Sequence, residues 1–125
     1  MMKQLILGAL LISFGACNEP PQRNCSNFKT GNFSFTSTIN GQEQTSTFSR
    51  TLEMEVDHFE GKQDTSSVRW INDCEYVLKN INPKSKAEEK SIHIKILTTS
   101  DSSYTFEYNA IGDKRKFKGT AYKIH

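Results

Sequence analysis

The chain reads as an all-β protein: an antiparallel meander of about eight strands forming a small barrel or rolled sheet, after an N-terminal signal peptide. Two observations carry that reading. From Phe28 onward the apolar residues mostly recur with a period of two, as half-buried strands require and amphipathic helices do not. Between the alternating runs stand residues that favour tight turns, among them Asn40-Gly41, Glu60-Gly61, Asn72-Asp73 and Gly112-Asp113.

In chain order, Gly31, Phe33, Phe35, Ser37 and Ile39 share one parity and end at Asn40-Gly41, where tolerance of positive φ suits a type I′ hairpin. Gln44 to Thr51 returns, rich in Thr and Ser around Phe48. Next, Leu52, Met54 and Val56 are expected to face inward and Glu53, Glu55 and Asp57 outward, until Glu60-Gly61-Lys62 turns the chain. Val68 and Trp70 mark a further strand, Asn72-Asp73 a second hairpin turn, and Cys74, Tyr76 and Leu78 the returning strand. Asn80 to Lys90 breaks the alternation with Pro83 and a run of charges, and predicts a loop or one short helix. Ile92, Ile94 and Ile96 resume it with His93 and Lys95 opposite, and Asp101-Ser102-Ser103 leads into Tyr104, Phe106 and Tyr108. The last strand runs from Phe117 to Ile124, with Thr120, Tyr122 and Ile124 alternating with Lys123. Strands joined in sequence by tight turns favour a meander, and closure removes exposed edges. An open two-layer sheet is the alternative.

The first sixteen residues form a basic start, Lys3, followed by the apolar stretch Leu5 to Ile12, which is too short to span a bilayer. Ser13-Phe14-Gly15-Ala16-Cys17 resembles the lipobox of bacterial lipoproteins, with Phe14 where leucine is usual. The resemblance implies cleavage after Ala16, lipid such as palmitate on Cys17, and a place in the cell envelope, by default the periplasmic face of the outer membrane. Asn18-Glu19-Pro20-Pro21-Gln22 then reads as a tether. The expected organisation is a signal peptide over 1–16, a lipidated cysteine and tether over 17–27, and one β domain over 28–125. An ordinary cleaved signal peptide is the alternative. Acylation at one cysteine by two or three chains anchors firmly, since each buried methylene contributes about 0.8 kcal/mol.

Removing sixteen of the 125 residues leaves 109, room for one compact domain. The 16 basic and 14 acidic residues become 15 and 14 without Lys3, and so near-neutral a balance argues against nucleic acid as a partner. With Cys17 assigned to lipid, Cys25 and Cys74 are the pair available to an oxidising compartment, and a disulfide between them is expected; two buried thiols are the alternative.

Arg23-Asn24-Cys25-Ser26-Asn27-Phe28-Lys29-Thr30-Gly31, Asp64-Thr65-Ser66-Ser67 and Trp70-Ile71-Asn72-Asp73-Cys74-Glu75-Tyr76 together resemble a family of small flavobacterial (Bacteroidota) lipoproteins, over nearly all of the mature chain. The resemblance brings no established activity with it. Some members bear the name DNA topoisomerase IV, which these residues do not support. A type II topoisomerase needs an ATP-binding module, a strand-breaking tyrosine among basic residues and acidic metal ligands, spread over many hundreds of residues.

Candidate chemistry is sparse. Glu53, Glu55 and Asp57 at alternate positions stand about 6 to 7 Å apart along a strand, wide for one cation, and read as a solvated face. His58, His93 and His125 lack metal-ligand spacing and read as surface residues, and no base stands ready to activate a serine or threonine. No catalytic residue, metal or cofactor is therefore expected. Lys114, Arg115, Lys116 and Lys118 form one basic cluster and Lys84, Lys86 and Lys90 another; each suits a solvated turn or contact with anionic headgroups. The aromatic set, with Phe33, Phe35, Trp70, Tyr76, Phe106 and Tyr108 foremost, either fills the barrel or lines a ligand cavity. The leading expectation is a noncatalytic envelope lipoprotein whose β domain binds a protein or envelope component. The second is a lipocalin-like carrier of a small apolar ligand, and an interior cavity of a few hundred Å³ discriminates between the two. An enzyme ranks last.

Overall fold

The computed structural model describes residues 23–125. Eight strands follow in chain order: β1 (Gly31–Ile39), β2 (Gln42–Arg50), β3 (Met54–Phe59), β4 (Lys62–Asn72), β5 (Glu75–Asn80), β6 (Ile92–Thr99), β7 (Ser103–Ala110) and β8 (Phe117–Lys123). Each pairs antiparallel with the next, and β8 returns to β1 through Phe33–Lys123, Ser34–Tyr122 and Phe35–Ala121, so the sheet closes into a barrel. The expected meander is present, closed rather than open. The segment expected to be a signal peptide and the expected lipidation site Cys17 lie outside the described residues.

Turn chemistry fixes the hairpins. Asn40 and Gly41 have φ of 52° and 77° between the paired Ile39 and Gln42; Glu60 and Gly61 repeat this at 49° and 73° between Phe59 and Lys62. Two consecutive positive φ values give a turn whose twist matches the strands it joins. The β4–β5 turn is less regular: a bulge between Trp70 and Asn72 shifts the register, so Asp73 and Cys74 occupy the turn itself. The break after Asn80 is mostly loop, with a single helical turn, α1 (Lys86–Glu89), capped by the Ser85 hydroxyl accepting from the Glu88 amide.

Register decides which side chains enter the barrel, and in β3 it overturns the expected faces. Glu55 pairs with Arg50 and Asp57 with Phe48, which places both acids inside and Met54 and Val56 outside; Leu52 is exposed in the β2–β3 turn. Alternation alone reads the apolar set as inward, but the closing of the β2–β3 turn sets the phase of β3, and Arg50 makes a buried carboxylate tolerable. In β8 the inward residues are Gly119 and Ala121, while Tyr122 and Ile124 are exposed. A side chain at Gly119 has no room, because its Cβ would lie 2.9 Å from Phe106 Cζ and closer still to the Phe35 ring. On the outer wall Thr36, Thr38, Thr45, Thr47, Arg69 and Lys79 are exposed, a surface that meets water rather than lipid tails.

One end of the barrel is capped. A 3₁₀ turn, Cys25–Phe28, lies across it with Cys25 and Phe28 buried. Arg23 donates to the Ile96 carbonyl at 2.9 Å, the Asn24 amide donates to the Thr99 hydroxyl at 2.8 Å, and Lys123 Nζ reaches the Asn27 carbonyl at 2.7 Å. Residues 23–27, ahead of the expected domain start at Phe28, thus take part in the cap. Cys25 and Cys74 form the expected disulfide, with Cα atoms 5.3 Å apart and a sequence separation of 49. It staples the cap to the β4–β5 turn. On the chain-entropy model a loop of that length contributes roughly 4 kcal/mol. Replacing both cysteines by serine is expected to lower stability by that amount, read as a shift of the urea midpoint; an unchanged midpoint would assign the cap's stability to its other contacts.

Candidate functional site

Beneath the cap the barrel is filled by one charged residue and its surroundings. Arg50, the last residue of β2, is buried and reaches the Phe28 carbonyl of the cap. Every guanidinium nitrogen is engaged: Nε donates to the Lys29 carbonyl at 3.2 Å, one terminal nitrogen to Glu55 at 3.0 Å and Tyr76 at 2.7 Å, the other to the Phe28 carbonyl at 2.5 Å and Tyr104 at 3.2 Å. Its flat faces meet aromatic rings, with Tyr76 at 4.6 Å and Phe33 at 4.8 Å from the central carbon. Burial opposes the Arg50 charge, and the oxygens of Tyr76, Tyr104 and Glu55 outweigh that opposition and hold the group protonated. Burial also pushes both tyrosines above their ordinary value, so they remain neutral hydroxyls beside the cation.

Beyond this layer, toward the opposite end, the barrel is not filled. A cavity of about 380 Å³ is bounded by Phe35, Phe48, Phe59, Leu78, Ile92, Ile94, Phe106 and Tyr108, with Tyr76, Tyr104 and Glu55 at its floor and Ser37, Ser46 and Asp57 as its other polar lining. That volume falls within the range of small-molecule pockets, about 300–1,000 Å³, and the wall is mostly apolar. Of the six foremost aromatics, Phe35, Tyr76, Phe106 and Tyr108 line the cavity. Phe33 and Trp70 instead pack in the capped half: Phe33 stacks on Phe48 at 5.0 Å, and Trp70 lies against Tyr76 at 4.5 Å with Lys29 Nζ over its ring at 5.1 Å.

Asp57 is the unusual group. Burial raises its carboxyl to about 8, and Glu55 beside it and Asp64 opposite it on β4 push the same way, against a smaller pull from Arg50. Near neutrality it is therefore largely the protonated partner of Glu55, an arrangement in which two close carboxyls hold one proton. The remaining candidates lie elsewhere. Glu53 is exposed, His58 and His125 are exposed, and His93 stands on the outer wall with Nε2 3.9 Å from Glu75. Lys84, Lys86 and Lys90 fall in the β5–β6 loop and Lys114, Arg115 and Lys116 in the β7–β8 loop, with Lys118 at the start of β8; the two loops, at the open end, meet through the Ile111 amide and the Ser91 carbonyl at 2.9 Å.

Comparison of the chain with protein-family models, with curated proteins and with solved structures finds no match. The reading of the site therefore rests on its geometry.

Arg50 and Asp57 each generate a prediction. Replacing Arg50 by Met strands the Glu55 carboxylate and the Phe28 and Lys29 carbonyls, and is expected to cost about 3–5 kcal/mol, most of it recovered when Glu55 is also replaced by Gln. A double-mutant cycle by chemical denaturation measures this, and additive losses would show that the two residues do not act as a pair. For Asp57, the folded state keeps a proton that the unfolded chain releases from about pH 4 upward, so this group subtracts stability as pH rises toward 8. Asp57→Asn removes that term. Its stability relative to the unmodified protein is expected to grow between pH 5 and pH 8, read as the difference in thermal midpoint; a constant difference would mean an ordinary carboxyl.

Proposed function

We propose that the protein is a noncatalytic carrier: a lipocalin-like barrel that holds one small, largely apolar molecule in its open half. The observation that carries this reading is the cavity of about 380 Å³ in a domain of this size, walled by Phe35, Phe48, Phe106, Tyr108 and three aliphatic side chains. A barrel whose interior served stability alone would be filled, since voids of this size forfeit packing contacts on every wall. The capped half is filled in that way.

The carrier works at the cell envelope, tethered by lipid on Cys17. Only Asn18 to Gln22 separate that residue from Arg23, so the folded unit stays within about 20 Å of the anchor even when the tether is fully extended. Arg23 joins the barrel at its capped end, and the cavity opens at the other. The mouth is thus directed away from the anchor, toward ligand arriving from the aqueous side. The second reading, docking of an envelope protein, is favoured by exposed Ile81, Ile111 and Phe117 beside the basic loops of the open end.

Native mass spectrometry of the secreted protein carrying Cys17→Ser tests the carrier reading. A reproducible added mass of small-molecule size is expected on the folded protein, lost on denaturation, and lost also when Ser46→Trp fills the cavity. A bare monomer that also takes up no apolar probe would favour the docking module.

A further inference from the structure

We infer that the cavity takes an apolar molecule bearing a single protonated amine, with the ammonium group held against the carboxyls of Glu55 and Asp57. This rests on the carrier reading and adds to it the charge of the ligand.

The polar lining of the cavity is one-sided. Glu55 and Asp57 line it, and no lysine, arginine or histidine does. Arg50, the interior cation, already has every donor engaged and sits behind Glu55 at the floor. The inward ionisable groups are therefore Arg50 against the carboxyls of Glu55, Asp57 and Asp64, so an anionic ligand would meet more carboxyls than cations. The hydrogen-bond partner of Asp57 is the Glu55 carboxyl, itself held by Arg50, and both carboxyls line the cavity.

Aromatic walls distinguish a cation from a neutral donor. A hydroxyl-bearing ligand would satisfy one carboxyl oxygen, but only a cation gains from the faces of Phe48, Tyr76, Tyr104, Phe106 and Tyr108 as well. The same barrel already holds a cation in this way, because Arg50 lies over Phe33, Phe48 and Tyr76 at 4.6 to 5.5 Å while pairing with Glu55. The cavity repeats that chemistry one layer further out, with Asp57 in place of Glu55 and the cation supplied by the ligand.

Binding is an exchange in which charge balances. The ligand enters as the ammonium ion, Asp57 passes from carboxylic acid to carboxylate, and its proton leaves to solvent. The groups that face Asp57 are Glu55 on its own strand, Arg50 from β2, Asp64 from β4, the phenols of Tyr76, Tyr104 and Tyr108 from β5 and β7, and Glu88 and Lys90 where the adjoining recess meets the β5–β6 loop. Strands β1, β6 and β8 bring no ionisable side chain to this cavity. With the empty-state carboxyl raised to about 8, affinity for the amine rises close to tenfold per pH unit below neutrality.

Three ligands of one skeleton, phenylbutylamine, phenylbutanol and phenylbutyrate, test the inference by calorimetric titration of the secreted protein carrying Cys17→Ser. At pH 7.5 the amine is expected to bind at least about tenfold more tightly than the alcohol, as a charged hydrogen bond contributes, and the carboxylate more weakly than either. Between pH 6 and 7 the amine is expected to tighten close to tenfold, with proton release, while the alcohol does not change. Asp57→Asn is expected to remove the pH dependence of amine binding and most of the amine's advantage over the alcohol, and to leave the alcohol as it was. An amine no tighter than the alcohol, or a carboxylate that binds best, would overturn this inference and leave the carrier reading standing. Binding of none of the three would remove both. The pH series on the unsubstituted cavity decides the matter even if the Asn variant does not fold.

Discussion

The interior of this barrel is organised around a buried guanidinium. Arg50 links the end of β2 to β3 through Glu55, to β5 and β7 through Tyr76 and Tyr104, and to the cap through the carbonyls of Phe28 and Lys29. A cation removed from water costs several kcal/mol unless its partners are complete, and here they are complete. Completeness imposes conditions on the fold. The β2–β3 turn must bring Glu55 opposite Arg50, the cap must present two carbonyls, and the tyrosines must enter from the far wall at the same height. The disulfide from Cys25 to Cys74 meets the second condition, since it fixes the 3₁₀ turn that carries the Phe28 carbonyl.

The eight strands, their order and the two Gly-containing hairpins were legible because each depends on local chemistry: parity of apolar residues, positive-φ turn residues, and a polar break after Asn80. The disulfide followed from the count of cysteines. What was not legible is the phase of β3. Leu52, Met54 and Val56 alternate with acids as cleanly as any amphipathic strand, and the opposite phase wins because pairing with β2 couples Arg50 to Glu55 and Phe48 to Asp57. A signal existed in that Arg50 shares parity with Phe48 and stands five residues before an acid across a short turn. It is an inward cation with a partner at cross-strand distance. In β8 the alternation left the inward face open, and the structure places Gly119 against Phe35 and Phe106, where a Cβ would not fit.

The same phase shift joins fold to site. Had the acids of β3 faced water, the barrel would have carried an apolar core throughout and little to orient a guest. Turned inward, Glu55 completes the Arg50 layer that closes the cavity floor, and Asp57 becomes its upper polar group. The aromatic residues divide accordingly. Phe33 and Trp70 serve the filled half around Arg50, and Phe35, Phe106 and Tyr108 serve the open half.

Asp57 is a cost to the empty protein. A serine or asparagine at that position would spare the domain a half-buried acid beside two others, and each would fit the strand. Groups that weaken a fold where a neutral residue would do are characteristic of sites, because selection for stability alone removes them. The cost is also well placed. Asp57 lies beyond the Arg50 layer, without a cation of its own, and it lines a large, mostly apolar space in the barrel. On the proposed carrier reading, a bound ammonium group would pair with this carboxyl and stabilise the folded state by mass action.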